Sequence, residues 1–129
     1  LNELKSIFPQ GSHAFKPCDA SLMANARAFC RDFEASNSKL NYLVLSQGMA
    51  SIDGRNETIE GIDKKLALHY YGRMQFIRSL LPLMRKSAET GEDVRTMSIL
   101  SAGVHSPYTN LDDLALKRNF SLANAANAA

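Results

Sequence analysis

Two cysteines, Cys18 and Cys30, are all that the 129 residues contain. They have no metal-ligand spacing and are too few for a disulfide framework, so reduced thiols in a cytoplasmic protein are the expectation. No apolar run is long enough to cross a bilayer, and no stretch reads as a signal peptide. A charge bias is missing as well. The net charge is +2, with Lys and Arg scattered, which gives no argument for nucleic acid or a membrane surface as a partner. There is no glycine-rich phosphate loop, no Walker pattern and no histidine-plus-carboxylate metal constellation. Ser101-Ala102-Gly103 is not the G-x-S-x-G elbow of hydrolases.

What is present is the composition of a globular protein, 45% hydrophobic and 22% charged, sized for one modest domain or part of one. The chain opens on Leu1 and closes on Ala-Asn-Ala-Ala-Asn-Ala-Ala, so both ends read as cuts through a longer protein. Its organising stretch is Leu40–Met49. There the apolar run Tyr42–Leu45 is broken by Ser46-Gln47-Gly48. An unalternated run suits a strand buried on both faces, as in a parallel sheet covered by helices. Ligands bind beyond the carboxyl ends of such strands, which makes Ser46-Gln47-Gly48 a candidate site floor, with an ordinary turn as the alternative.

Leu1–Phe8 reads as the last turns of a helix, closed by Pro9-Gln10-Gly11, and His13–Cys18 as a short extended strand. Ser21 is placed to cap a helix whose apolar stripe is Leu22, Ala26, Phe29, Cys30 and Phe33. Strand, helix, strand in that order favours a right-handed crossover and a parallel sheet. Thr58 is expected to cap a long helix over 58–87, with Ile62, Leu66, Tyr70, Ile77, Leu80, Leu81 and Met84 buried and a bend at Pro82. Tyr71, Met74 and Phe76 widen its apolar surface, which suits either a partner subunit or cover by its own domain. Arg95–Leu100 reads as a third strand ending at Ser101, Leu111–Lys117 as a helical turn, and Ser121 as the cap of a final helix. The histidines of this pattern read as ordinary surface or helix residues, His69 among them.

Four motifs stand in a telling order: Cys18-Asp19-Ala20-Ser21, Leu43-Val44-Leu45-Ser46-Gln47-Gly48, Leu80-Leu81-Pro82-Leu83-Met84 and Arg95-Thr96-Met97-Ser98-Ile99-Leu100-Ser101. In that order and spacing the chain resembles the short-chain dehydrogenase/reductase family over essentially all its residues. Leu111-Asp112-Asp113-Leu114 looks like the retinol-dehydrogenase-like branch, and the whole is similar to fungal members. The resemblance implies an α/β fold, an incomplete Rossmann-type doubly wound parallel sheet that keeps strands 3, 4 and 5 of the order 3-2-1-4-5 and lacks the first two. Residues 1–129 would be the central part of one NAD(P)-binding domain. It implies NAD or NADP as cofactor, a small carbonyl or alcohol substrate, Asp19 and Ala20 beside the adenine, and Ser46, Gln47 and Gly48 against the adenosine ribose. Ser101 matches the catalytic serine that orients the substrate, and His69 stands at the position of the family's structural asparagine.

The chain departs from the family at the Tyr-x-x-x-Lys motif, where Ala125 and Ala129 fall on the tyrosine and lysine. An alanine cannot exchange a proton. The resemblance therefore implies either an enzyme or a catalytically impaired relative, with a partial gene product lacking its own function as a third reading. The family's glycine-rich pyrophosphate turn would lie before Leu1. The expectation is that these 129 residues alone bind NAD(P) weakly or not at all, and a micromolar Kd for the isolated chain would contradict it.

Overall fold

A computed structural model describes residues 1–100 and 106–129. Its elements are α1 (Asn2–Ile7), α2 (Met23–Ser36), β1 (Tyr42–Leu45), α3 (Lys64–Leu66), a π-helical turn (Ala67–Tyr71), α4 (Gly72–Glu89), β2 (Arg95–Ser98), a 3-10 turn (Leu111–Asp113) and α5 (Leu122–Ala128). Strands β1 and β2 pair in parallel, Tyr42 opposite Arg95 and Leu45 opposite Ser98. They are the Leu40 and Arg95 strands expected from sequence, and the fold is the α/β type anticipated.

Packing places the site end of the sheet. Leu45, Ala26, Cys30, Phe76 and Leu80 form one core, with Leu43, Phe29, Phe33 and Ile77 against it. Helices α2 and α4 thus pack on each other and on the face of β1 that carries Leu43 and Leu45. The alternate residues Val44 and Met97, adjacent in register, are exposed on the other face. A second core joins Leu66, Leu116 and Ala125, with Tyr71, Tyr108 and Phe120 around it, and so fastens α5 to α3. Burial raises the Cys30 thiol to about 11, which keeps it protonated and inert at neutral pH.

Several expectations fail for identifiable reasons. His13–Cys18 has no regular structure and forms no ladder, because no described strand lies beside it. Ser21 does not cap α2: its hydroxyl donates to Asp19 Oδ1 at 2.6 Å. The orphan donors at that helix start, Met23 N–H and Ala24 N–H, go instead to the Glu60 carboxylate, at 2.6 and 2.9 Å. Thr58 caps nothing either. Gly61, at φ +75°, turns the chain so that Thr58 N–H bonds Ile62 O, and the helix starts only after Asp63. The Asp63 carboxylate accepts from Lys65 N–H and Leu66 N–H.

The expected single helix over 58–87 therefore becomes α3, the π turn and α4. The wider π turn rotates every later residue relative to a regular helix. Tyr70 and Leu81, expected inside, are exposed, while Arg73, Phe76, Leu83 and Ser87 are buried. The helix continues through Pro82, which leaves Arg78 O without its intrahelical donor. Leu111–Lys117 is helical only over Leu111–Asp113, since Leu116 adopts φ +51°. The Ser121 cap is present as expected, its hydroxyl accepting from Asn124 N–H at 3.0 Å.

One close approach fixes α4 against the chain before α2. A Cβ on Gly72 would stand 2.6 Å from Ala20 O and 2.8 Å from Ala67 O, both backbone atoms that cannot move alone. Alanine is ordinarily the better helix former by about 1 kcal/mol. Here the clash outweighs that gain, and Gly72→Ala should destabilise the protein by about 1–3 kcal/mol in denaturant titration. Stabilisation would show that α4 is not pressed onto Ala20.

Candidate functional site

The last ladder bond among the described residues, Ile99 N–H to Leu45 O at 2.9 Å, marks where the two strands part. Beyond it Ser46, Gln47, Gly48 and Met49 leave β1 on one side, and Ile99 and Leu100 leave β2 on the other. Parallel strands that separate in this way open a crevice at their carboxyl ends. Gln47–Gly54 has no regular structure of its own, so its backbone groups need partners from elsewhere.

Those partners come from one face of the neighbouring helix. Lys65 Nζ donates to Asp53 O at 2.9 Å and Gly54 O at 3.2 Å. His69 Nε2 lies 3.1 Å from both the N–H and the carbonyl oxygen of Met49, accepting from the first in one tautomer or donating to the second in the other. Arg73 Nη2 donates to Gln47 O at 2.7 Å, and its Nη1 to Ile99 O at 2.5 Å and Ser98 Oγ at 2.9 Å. Residues 65, 69 and 73 stand one turn apart, and they grip the 47–54 backbone in reverse order. Lys65 and Arg73 are both buried, and neither forms a salt bridge among the described residues.

The same helical turn gathers the residues singled out from sequence. Gly72 touches Ala20, which follows Asp19; His69 touches Gly48 and Met49; Arg73 touches Gln47. Asp19, Ala20, Ser46, Gln47 and Gly48 are thereby brought to one end of the sheet. Asp19 is exposed, and the Ser21 hydroxyl and N–H hold its carboxyl below the usual carboxylate range. His69 borders two open clefts. One, of 790 Å³, is also lined by Ala50, Lys65 and Ala125; the other, of 480 Å³, by Ser46, Gly48, Arg73 and Ala129. Ala125 and Ala129, the positions matched to the family tyrosine and lysine, therefore face the clefts on either side of His69. Ser101 lies outside the described residues, two positions past Ile99 in sequence. Among the described residues no group of His, Cys, Asp and Glu could hold a metal ion.

Sequence reasoning missed Lys65 and Arg73. Their signal was the 65, 69, 73 spacing, but cations on a helix ordinarily mark its solvated face.

Gly48 has a steric reason to be glycine. A Cβ there would lie 2.7 Å from His69 Cε1, and the ring cannot swing away while Nε2 stays on Met49. Gly48→Ala should therefore destabilise the protein, and should cost less by at least about 0.5 kcal/mol when His69→Ala is already present. Additive effects in this double-mutant cycle would contradict the contact.

No family model matches the chain. Curated sequence relatives do. An oxidoreductase of Emericella nidulans is 43% identical over 125 residues, 97% of this chain and 36% of that protein. A polyprenol dehydrogenase of Mus musculus is 31% identical over 100 residues, 78% of this chain and 30% of that protein. The chain thus spans about a third of the length of the curated relatives it matches. Among solved structures, a metagenomic short-chain oxidoreductase in complex with NADP superposes with a TM-score of 0.61 at 17% identity, covering 83% of this chain and 48% of that one. At that identity the likeness is one of fold, and it agrees with the sequence relatives. By sequence and by fold together, the chain belongs to the short-chain dehydrogenase/reductase family.

Proposed function

We propose that the chain forms the cofactor-side centre of an NAD(P)-dependent short-chain oxidoreductase that interconverts a carbonyl and an alcohol by hydride transfer. The observation that carries this reading is the crevice itself. One turn of helix, 69–73, brings Asp19-Ala20 and Ser46-Gln47-Gly48 to the parting ends of two parallel strands. The fit to a nicotinamide dinucleotide rests on exposed Ser46 and Gly48 and on the exposed carboxylate of Asp19, which precedes the Ala20 that meets Gly72. Asp19 and Ala20 would border the adenine, and Ser46, Gln47 and Gly48 the adenosine ribose. The cofactor, when bound, supplies the hydride. Ser101 is the substrate-orienting donor. His69 holds Met49 and with it the floor of the crevice.

The finer placement in a retinol-dehydrogenase-like, fungal-type branch is supported by Leu111-Asp112-Asp113-Leu114 and by the Emericella relative. Tyr70, Met74 and Leu81 lie exposed along one side of the π turn and α4, a surface suited to a second copy of the chain. No helix among the described residues is long and apolar enough to cross a membrane, and a cytoplasmic location goes with the reduced thiols. A second reading, a catalytically impaired relative, is favoured by Ala125. It is 4% exposed, packs against Leu66 and Leu116, and brings no hydroxyl to the cleft.

The test uses the full-length gene product, NADPH or NADH, and a panel of aldehydes, ketones and polyprenols. Turnover reduced about 10²-fold or more by Ser101→Ala is expected. Cofactor binding without turnover would favour the second reading, and no cofactor binding would overturn both. Sedimentation of the same sample should give a dimer that Met74→Glu weakens, and a monomeric wild type would remove the proposed interface.

A further inference from the structure

We infer that Arg73 is a positioning residue that sets the distance between the cofactor-side and substrate-side edges of the crevice. The inference rests on the reading of that crevice as the NAD(P) site. Arg73 is 3% exposed, and its guanidinium spans the gap between the strands just beyond their last ladder bond. One nitrogen holds Gln47 O, immediately before Gly48; the other holds Ile99 O, two residues before Ser101. No backbone ladder joins the strands at this point, so the side chain replaces it.

Burying this cation is costly. Its acceptors are two carbonyls and a hydroxyl rather than a carboxylate, and a buried charge lacking an opposite charge is poorly compensated. Arg73 Nε is itself buried without a partner among the described residues, as is Gln47 Nε2 beside it. An apolar side chain of similar length would spare the desolvation of the cation but leave Gln47 O, Ile99 O and Ser98 Oγ without this donor. Those acceptors account for a donor at this position, and the planar fork accounts for its being an arginine. Two nitrogens in a fixed geometry can hold two carbonyls at a fixed separation, and a single ammonium on a lysine stem cannot. Lys65 shows the contrast, since its ammonium serves adjacent carbonyls of one loop.

The test compares Arg73→Lys and Arg73→Ala in the full-length gene product, reading NADPH affinity by nicotinamide fluorescence beside the thermal midpoint. Arg73→Lys keeps the charge and the aliphatic stem. It should fold with a midpoint near wild type yet bind NADPH about tenfold more weakly. Arg73→Ala should bind more weakly still, and millimolar guanidinium, but not equal sodium chloride, should restore part of the affinity. Wild-type affinity in Arg73→Lys would show that charge alone suffices and would overturn the inference. So would a loss confined to the thermal midpoint in both variants. If Arg73→Ala does not fold, the Arg73→Lys comparison decides alone. Failure of the wild type to bind either nicotinamide cofactor would instead overturn the proposed function, and this inference with it.

Discussion

The grip of one helix on one irregular loop is what the rest of the site depends on. Lys65, His69 and Arg73 hold the backbone from Gln47 to Gly54, a stretch with no secondary structure to satisfy its own carbonyls. Without that grip the parallel pair would end at Leu45 and Ser98, and the residues beyond would have no fixed place. With it, the ends of both strands are tied to the same turn that presses on Ala20.

The grip depends in turn on the π turn at Ala67–Tyr71. A regular helix would have directed Tyr70 inward by the apolar pattern. The wider turn exposes it and buries Arg73. Two glycines complete the arrangement, each where a Cβ has no room: Gly72 against the backbone of Ala20, and Gly48 against the His69 ring. Stabilisation from apolar burial sits nearby, in Leu45, Phe76 and Leu80 on one side and Leu66, Leu116 and Ala125 on the other. The polar grip is thus flanked by two small cores, which exclude water from its cationic ends and strengthen its hydrogen bonds.

Local signals in the sequence were enough for α1, for α2, for both strands and for the Ser121 cap. Each is set by periodicity or by a residue next to its partner. The failures share a cause, which is dependence on distant or counter-periodic contacts. The carboxylate that satisfies α2 comes from Glu60, 36 and 37 residues beyond the amides it accepts from. Gly61 postpones the long helix to Asp63, and the π turn then shifts its buried face. His13–Cys18 has the composition of a strand but no neighbour to pair with among the described residues. For the candidate site, the family pattern proposed Asp19, Ala20, Ser46, Gln47, Gly48 and His69, of which Ala20, Gln47, Gly48 and His69 meet at the 69–73 turn. It could not reveal Arg73, whose partners are backbone oxygens with no residue-type signature.

The central claim is that His69 fixes the floor of the crevice through Met49, and hydrogen exchange at the Met49 amide tests it most directly. That amide lies in an irregular segment, and it donates to His69 Nε2 when the ring proton sits on Nδ1, the tautomer required here. In the folded full-length protein it should exchange orders of magnitude more slowly than an open loop amide, and the protection should vanish in His69→Ala while α2 amides keep theirs. Exchange of Met49 at the open-loop rate in the wild type would contradict the account.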